Sequence, residues 1–94
     1  MNKKYRAKEC YIHRKVADND VLISVGANVA NFNGYITLNP SASFIWDSLK
    51  EPKTADELTK LMTEEFEVSE DVAYSDVKNF LEMLQRNSMV NVYE

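Results

Sequence analysis

Apolar and polar positions along this 94-residue chain follow two different periods, and the change between them divides it into a strand-rich first part and a helical second part. Tyr11 to Ala17 and Val21 to Val25 are rich in β-branched and aromatic residues, and Asp18-Asn19-Asp20 between them is a turn former. This pattern predicts a β-hairpin. Gly26-Ala27-Asn28 interrupts it. Asn33-Gly34 then supplies a second turn signal, between Val29-Ala30-Asn31-Phe32 and Tyr35-Ile36-Thr37-Leu38. Together these segments read as a small antiparallel sheet.

The period changes at Leu38-Asn39-Pro40. Asn39 can cap a helix with its side-chain oxygen, and Pro40 suits the first helical position because it has no amide hydrogen to leave unpaired. Ala42, Ile45, Trp46 and Leu49 then fall on one helical face. Glu51-Pro52-Lys53 ends that helix. Thr54 opens a second one, with Glu57 at capping-box spacing and a buried stripe of Leu58, Leu61, Met62 and Phe66. A third helix starts at Ser69, with Glu70 and Asp71 near its positive amino end, and runs to about Asn87 on an apolar face of Ala73, Val77, Phe80, Leu81 and Leu84. Met89 to Tyr93 reads as a short final strand or extended tail returning to the sheet. The expected fold class is α+β, winged helix-turn-helix-like, with a small antiparallel amino-terminal β-sheet followed by three α-helices.

Composition adds a single-domain limit and an uneven charge. Hydrophobic residues make up 45% and charged residues 28% of the chain, as in a compact domain able to fold alone. Met1 to Lys15 holds Lys3, Lys4, Arg6, Lys8, Arg14 and Lys15 against Glu9, a net of +5. The whole chain carries −4, so residues 16 to 94 carry −9. Residues 1–10 read as a flexible basic segment and 11–94 as the folded domain. The acidic body opposes binding to nucleic acid, whose affinity comes mainly from Lys and Arg on phosphates. Cys10 is the only cysteine, which excludes an intrachain disulfide and points to a reducing, cytoplasmic compartment. No apolar run is long enough for a membrane span or a signal-peptide core.

Catalytic chemistry has few carriers. Cys10 and His13 stand three apart in an expected strand, so they face opposite sides and do not form a dyad. Glu64, Glu65, Glu67, Glu70 and Asp71 gather between the second and third helices without EF-hand spacing or a histidine, and read as a solvated acidic corner. Gly26 and Gly34 form no phosphate loop. The chain is expected to be no enzyme, with no metal and no cofactor. What it does offer is a strand edge, whose unpaired amides and carbonyls can accept an extended peptide as an added strand. The third helix carries more apolar surface than one core face needs, since Val72 and Met83 widen one flank and Tyr74 the other.

In their order along the chain, these pieces resemble the PqqD family, small recognition elements for ribosomally made precursor peptides. The carriers are Val21-Leu22-Ile23, Gly34-Tyr35 with Leu38-Asn39, Ala42 with Ile45-Trp46 and Leu49, Thr54 with Glu57-Leu58, and Asp76-Val77 with Phe80-Leu81 and Leu84 before Met89-Val90. Two connections depart from the family pattern. Lys50-Glu51-Pro52-Lys53 replaces a link that usually holds a glycine, and Ser88 stands where a glycine usually precedes the final apolar pair.

The resemblance implies a leader peptide lying as an added strand between the third strand and the third helix. It also implies delivery of the precursor to a separate modifying enzyme, a radical S-adenosylmethionine protein or a lasso-type leader peptidase. Carried onto this chain, the peptide-binding residues are Asn33, Gly34, Tyr35, Ile36 and Thr37 on the strand and Val72, Asp76, Asn79, Phe80 and Met83 on the helix. Tyr74, Lys78 and Gln85 form the alternative rim.

Two other functions fit parts of the pattern. A winged-helix DNA-binding regulator shares the layout, but Glu70, Asp71, Asp76 and Glu82 outnumber Lys78 and Arg86 on the helix that would enter the groove. A PQQ-type biosynthesis protein binding a quinone would need converging aromatic and basic residues, and Trp46 lies on the buried stripe instead. An unpaired edge can also be closed by a second copy, giving a homodimer.

Overall fold

The computed structural model describes residues 3–24 and 35–94. In chain order the elements are β1 (Lys4–Ala7), β2 (Tyr11–Val16), β3 (Asn19–Ser24), β4 (Tyr35–Leu38), α1 (Pro40–Ser48), β5 (Lys53–Thr54), α2 (Ala55–Glu65), α3 (Glu70–Arg86) and β6 (Val90–Tyr93). They form two three-stranded antiparallel sheets, β2-β3-β4 and β5-β1-β6, around the helices. The expected α+β architecture, with an antiparallel sheet leading into three helices, is present. Among the described residues, no helix is long and apolar enough to cross a membrane.

Each helix begins as its first residues dictate. Asn39 accepts the Ala42 amide at 2.8 Å, with Pro40 at the first helical position. Thr54 accepts the Glu57 amide at 3.0 Å while Glu57 accepts the Thr54 amide at 2.8 Å, closing the capping box. That bond, donated by the Thr54 amide, holds the Glu57 carboxyl below its ordinary pKa. Ser69 caps α3 by accepting from Val72 at 3.3 Å. On α2, Leu58 and Met62 are buried as expected, whereas Leu61 and Phe66 are half-buried, Phe66 meeting Phe44 edge-on at 5.6 Å. Thr59 is buried instead, its hydroxyl donating to the Ala55 carbonyl at 2.8 Å.

The carboxyl end of α3 explains the Ser88 departure. Ser88 has φ 57°, in the left-handed region, its amide donates to the Gln85 carbonyl at 3.1 Å, and the Met89 amide donates to Leu84 at 2.8 Å. This is a Schellman cap, closed by the fully buried pair Leu84 and Met89. The backbone takes a glycine conformation with a serine in it.

Three expectations change. The amino-terminal segment is no free tail: Lys4–Ala7 is the middle strand of the second sheet, with Lys4 opposite both Thr54 and Tyr93. Lys4-Tyr5-Arg6-Ala7 alternates charged and apolar residues, so the strand turns Tyr5, only 9% exposed, into the core and its basic residues away. The hairpin turn is Ala17-Asp18 rather than Asp18-Asn19-Asp20. Positive φ occurs at Ala17, the first of two central residues, as in a type II′ turn, which lets Asn19 and Asp20 enter β3. Finally, the last strand, Val90–Tyr93, pairs with β1 in the second sheet rather than returning to the first, where β4 pairs with β3, Ile36 opposite Leu22 and Thr37 opposite Val21. The strand expected at Val29–Phe32 and the turn at Asn33-Gly34 lie outside the described residues.

One core joins these layers. Leu22 and Leu38 from the first sheet meet Ile45, Trp46 and Leu49 from α1 and its cap. Leu58, Met62, Ala73, Val77, Leu81 and Leu84 continue it through α2 and α3 to Tyr5, Met89 and Val90. The Ala7 amide donates to the Leu49 carbonyl at 2.9 Å, and the Lys8 amide to Met89 at 3.1 Å, fastening β1 to the ends of α1 and α3.

Candidate functional site

Among the described residues β4 has one neighbour, β3, so its other edge is unpaired. The strand passes without a spare residue into the Asn39 cap and α1. Ile36 is half-buried on the face that packs against the core, and Thr37 is exposed on the opposite face. Tyr35 pairs with Ile23 through the backbone. Asn33 and Gly34 lie outside the described residues.

Where β4 gives way to α1, a groove of about 280 Å³ opens between the first turns of α1 and the middle of α3. Asn39, Ser41, Ala42 and Ile45 line one wall, and Asp76, Asn79, Phe80 and Met83 the other. The α3 wall follows from helical spacing: positions 76, 79, 80 and 83 fall on adjoining rows of one face. Phe80 and Met83 are half-buried at the boundary with the core, while Asp76 and Asn79 are exposed at the rim. Four of the five helix residues named from sequence therefore share one groove. Val72, 50% exposed, is on the same face one turn earlier and does not line it.

The other flank of α3 borders a different hollow. Tyr74 and Lys78 line it with Lys3, Tyr5, Thr54, Ala55 and Asp56, and the Lys78 ammonium stands 6.0 Å from the Tyr74 ring centroid. That hollow adjoins the second sheet, away from the β4 edge; Gln85 is exposed and lines neither. The α1 wall of the first groove was not anticipated, although Ala42 and Ile45, three apart beside the Asn39 cap, carried the signal.

His13 has a structural position that the sequence did not reveal. Its Nδ1 is 2.9 Å from Asp47 of α1 and its Nε2 is 3.0 Å from Asp20 of β3. Carboxylates only accept, so making both hydrogen bonds at once requires a proton on each ring nitrogen, and the pair of partners favours the imidazolium form. Partial burial opposes that charge, but the bonds to Asp47 and Asp20 and their charges outweigh it, raising the pKa above the ordinary histidine value. His13 thus ties the hairpin to α1. Cys10 is exposed in the turn before β2 and is not one of its partners. Tyr11 stacks edge-on against buried Trp46 at 6.2 Å, and its phenol pKa is raised by burial and by the neighbouring Cys10. Among the described residues no group of three or more His, Cys, Asp or Glu side chains is placed to hold a metal.

Comparison with known proteins agrees with this architecture. The family model described as coenzyme PQQ synthesis protein D, PqqD, matches residues 21–90. No curated protein sequence matches the chain. Two solved structures superimpose over nearly the whole fold. TbiB1 in complex with the TbiA(beta) leader peptide is 21% identical with a TM-score of 0.69, covering 92% of this chain and 94% of that one. Lasso peptide synthetase B1 complexed with the leader peptide is also 21% identical, with a TM-score of 0.70, covering 93% and 96%.

Proposed function

Because this chain belongs to the PqqD family, we propose that it is a non-catalytic binding protein that captures the leader segment of a ribosomally made precursor peptide and presents it to a separate modifying enzyme. The observation that carries the reading is the groove between α1 and α3, which opens at Asn39 directly after β4, a strand whose outer edge has no partner among the described residues. A leader strand added to β4 would hydrogen-bond through its backbone and seat alternate side chains over Phe80, Met83, Ala42 and Ile45. The two similar folds, each in complex with a leader peptide, support the same reading. Asn33 to Thr37 would supply the strand side, and Asp76, Asn79, Phe80 and Met83 the helix side, with Val72 at the end of the track. The enzyme that receives the precursor would be a radical S-adenosylmethionine protein or a leader peptidase, acting in the cytoplasm.

The test is amide chemical-shift mapping during titration with a synthetic leader from any short precursor gene encoded next to this one, with a scrambled peptide as control. Shifts concentrated in Tyr35–Leu38 and α3 are expected. Met83→Glu, which puts a charge on the apolar groove wall, should weaken binding at least ten-fold, about 1.4 kcal/mol. Shifts confined to α2 or β1, or equal binding of the scrambled peptide, would remove the proposal.

A further inference from the structure

Among the described residues the groove holds one acidic side chain, Asp76, and no basic side chain there pairs with it. Asp76 is exposed at the rim, two turns before Met83, and makes no hydrogen bond or ion pair among the described residues. Residues 25–34, which complete the chain between β3 and β4, include no Lys, Arg or His. The other groove residues are neutral: Asn39, Ser41 and Asn79 around an apolar floor of Ala42, Ile45, Phe80 and Met83. An acidic side chain entering this groove meets like charge, and a basic one finds an unpaired carboxylate.

We propose that Asp76 is a specificity-determining residue that selects leader peptides carrying a Lys or Arg two positions away from the apolar side chain seated over Phe80. This inference rests on the leader-binding reading above. The spacing comes from the two geometries. Asp76 and Phe80 are separated by four residues, about 6 Å of helical rise. A strand places side chains on one face about 6.8 Å apart, every second residue. A strand lying alongside α3 therefore brings an apolar side chain to Phe80 and the next side chain on that face to Asp76. The carboxylate adds selectivity through charge complementarity, while backbone pairing and the apolar floor supply most of the affinity.

The experiment uses the full chain and the synthetic leader of the previous test, together with a set of variants of it. Each variant places Lys, Arg, Gln or Glu at one position two residues to either side of each apolar residue. Affinities are measured by fluorescence anisotropy for wild type, Asp76→Asn, Asp76→Lys and the control Glu82→Lys. Glu82 is exposed on α3 outside the groove, so its substitution changes net charge equally without touching the site. For one apolar residue, wild type should favour Lys or Arg over Glu by roughly three- to ten-fold, as expected for a partly solvated charge pair. Asp76→Asn should level that preference, Asp76→Lys should invert it, and Glu82→Lys should leave it in place. Leader binding without charge preference, or with one that persists in Asp76→Asn, overturns this inference and leaves leader binding standing. No binding of the leader at all removes the leader-binding reading itself and this inference with it.

Discussion

Replacing His13 with Gln should loosen the tie between the hairpin and α1 in a pH-dependent way. Two charge-assisted bonds are at stake, to Asp47 at 2.9 Å and to Asp20 at 3.0 Å. In a dry interior each would contribute ~1.5–3 kcal/mol. Here the Asp47 side chain is 49% exposed and Asp20 28%, so solvent screening reduces the pair to a total of about 1–2 kcal/mol. For a domain of this size that corresponds to about 5–15 °C in melting temperature.

The direction with pH follows from the raised pKa. The unfolded chain binds the His13 proton with a pKa of about 6.5 and the folded chain binds it more tightly, so the contribution is complete below the unfolded value. It fades as pH rises through the folded-state value. Urea unfolding of wild type and His13→Gln across pH 5.5 to 9.5 should give a stability gap that is widest at the acid end and narrows toward the alkaline end. His13 is the only histidine, so its ring signals can be followed without assignment ambiguity. A gap independent of pH, or a ring midpoint at or below 6.5, would refute the clasp.

Tyr5→Ala should cost about 3 kcal/mol in urea unfolding, since it empties a core position on the middle strand of the second sheet; a change under about 0.5 kcal/mol, the usual size at surface sites, would mean that the segment does not dock. Ser88→Gly should stabilise the protein by about 1 kcal/mol, because glycine takes the left-handed cap at no steric cost, while Ser88→Ala should be close to neutral. Thermal melts of the two variants side by side check this, and a lower melting temperature for Ser88→Gly would argue against that backbone conformation.

The three helices were legible because their signals are local. Asn39-Pro40, Thr54 with Glu57, and Ser69 each satisfy amides within one turn, and all three caps form as the residues predict. What was not legible depends on distant partners. Lys4-Tyr5-Arg6-Ala7 is too short and too charged to declare itself a strand until β5 and β6, some fifty and ninety residues on, offer it two edges. His13 could be read only as a strand residue, because Asp47 lies 34 positions away. The helix side of the groove was half legible: the family resemblance named Asp76, Asn79, Phe80 and Met83 but left the Tyr74, Lys78 and Gln85 flank open, because the rotation of α3 that turns one flank toward α1 depends on packing. The turn was misread by one residue because Asp18-Asn19-Asp20 has stronger turn chemistry than Ala17, and strand pairing overrode that local preference.

The way α1 is held bears on why this fold suits binding. Its amino end is joined to the β4 edge through Asn39 and Pro40, and its carboxyl end is fastened by the His13–Asp47 bond and by the Ala7 amide on Leu49. Anchored at both ends to strands, the helix keeps one groove wall at a fixed offset from the strand edge. A peptide docking there would not have to order the site first, so less of its backbone and apolar interaction energy would be consumed by conformational entropy. The charge of the groove is fixed in the same way, with Asp76 on the second turn of a capped helix of 17 residues. On the proposed leader-binding reading, binding strength would vary through Phe80 and Met83 and charge selectivity through Asp76, and double substitutions such as Met83→Glu with Asp76→Asn would test whether their effects on leader affinity add.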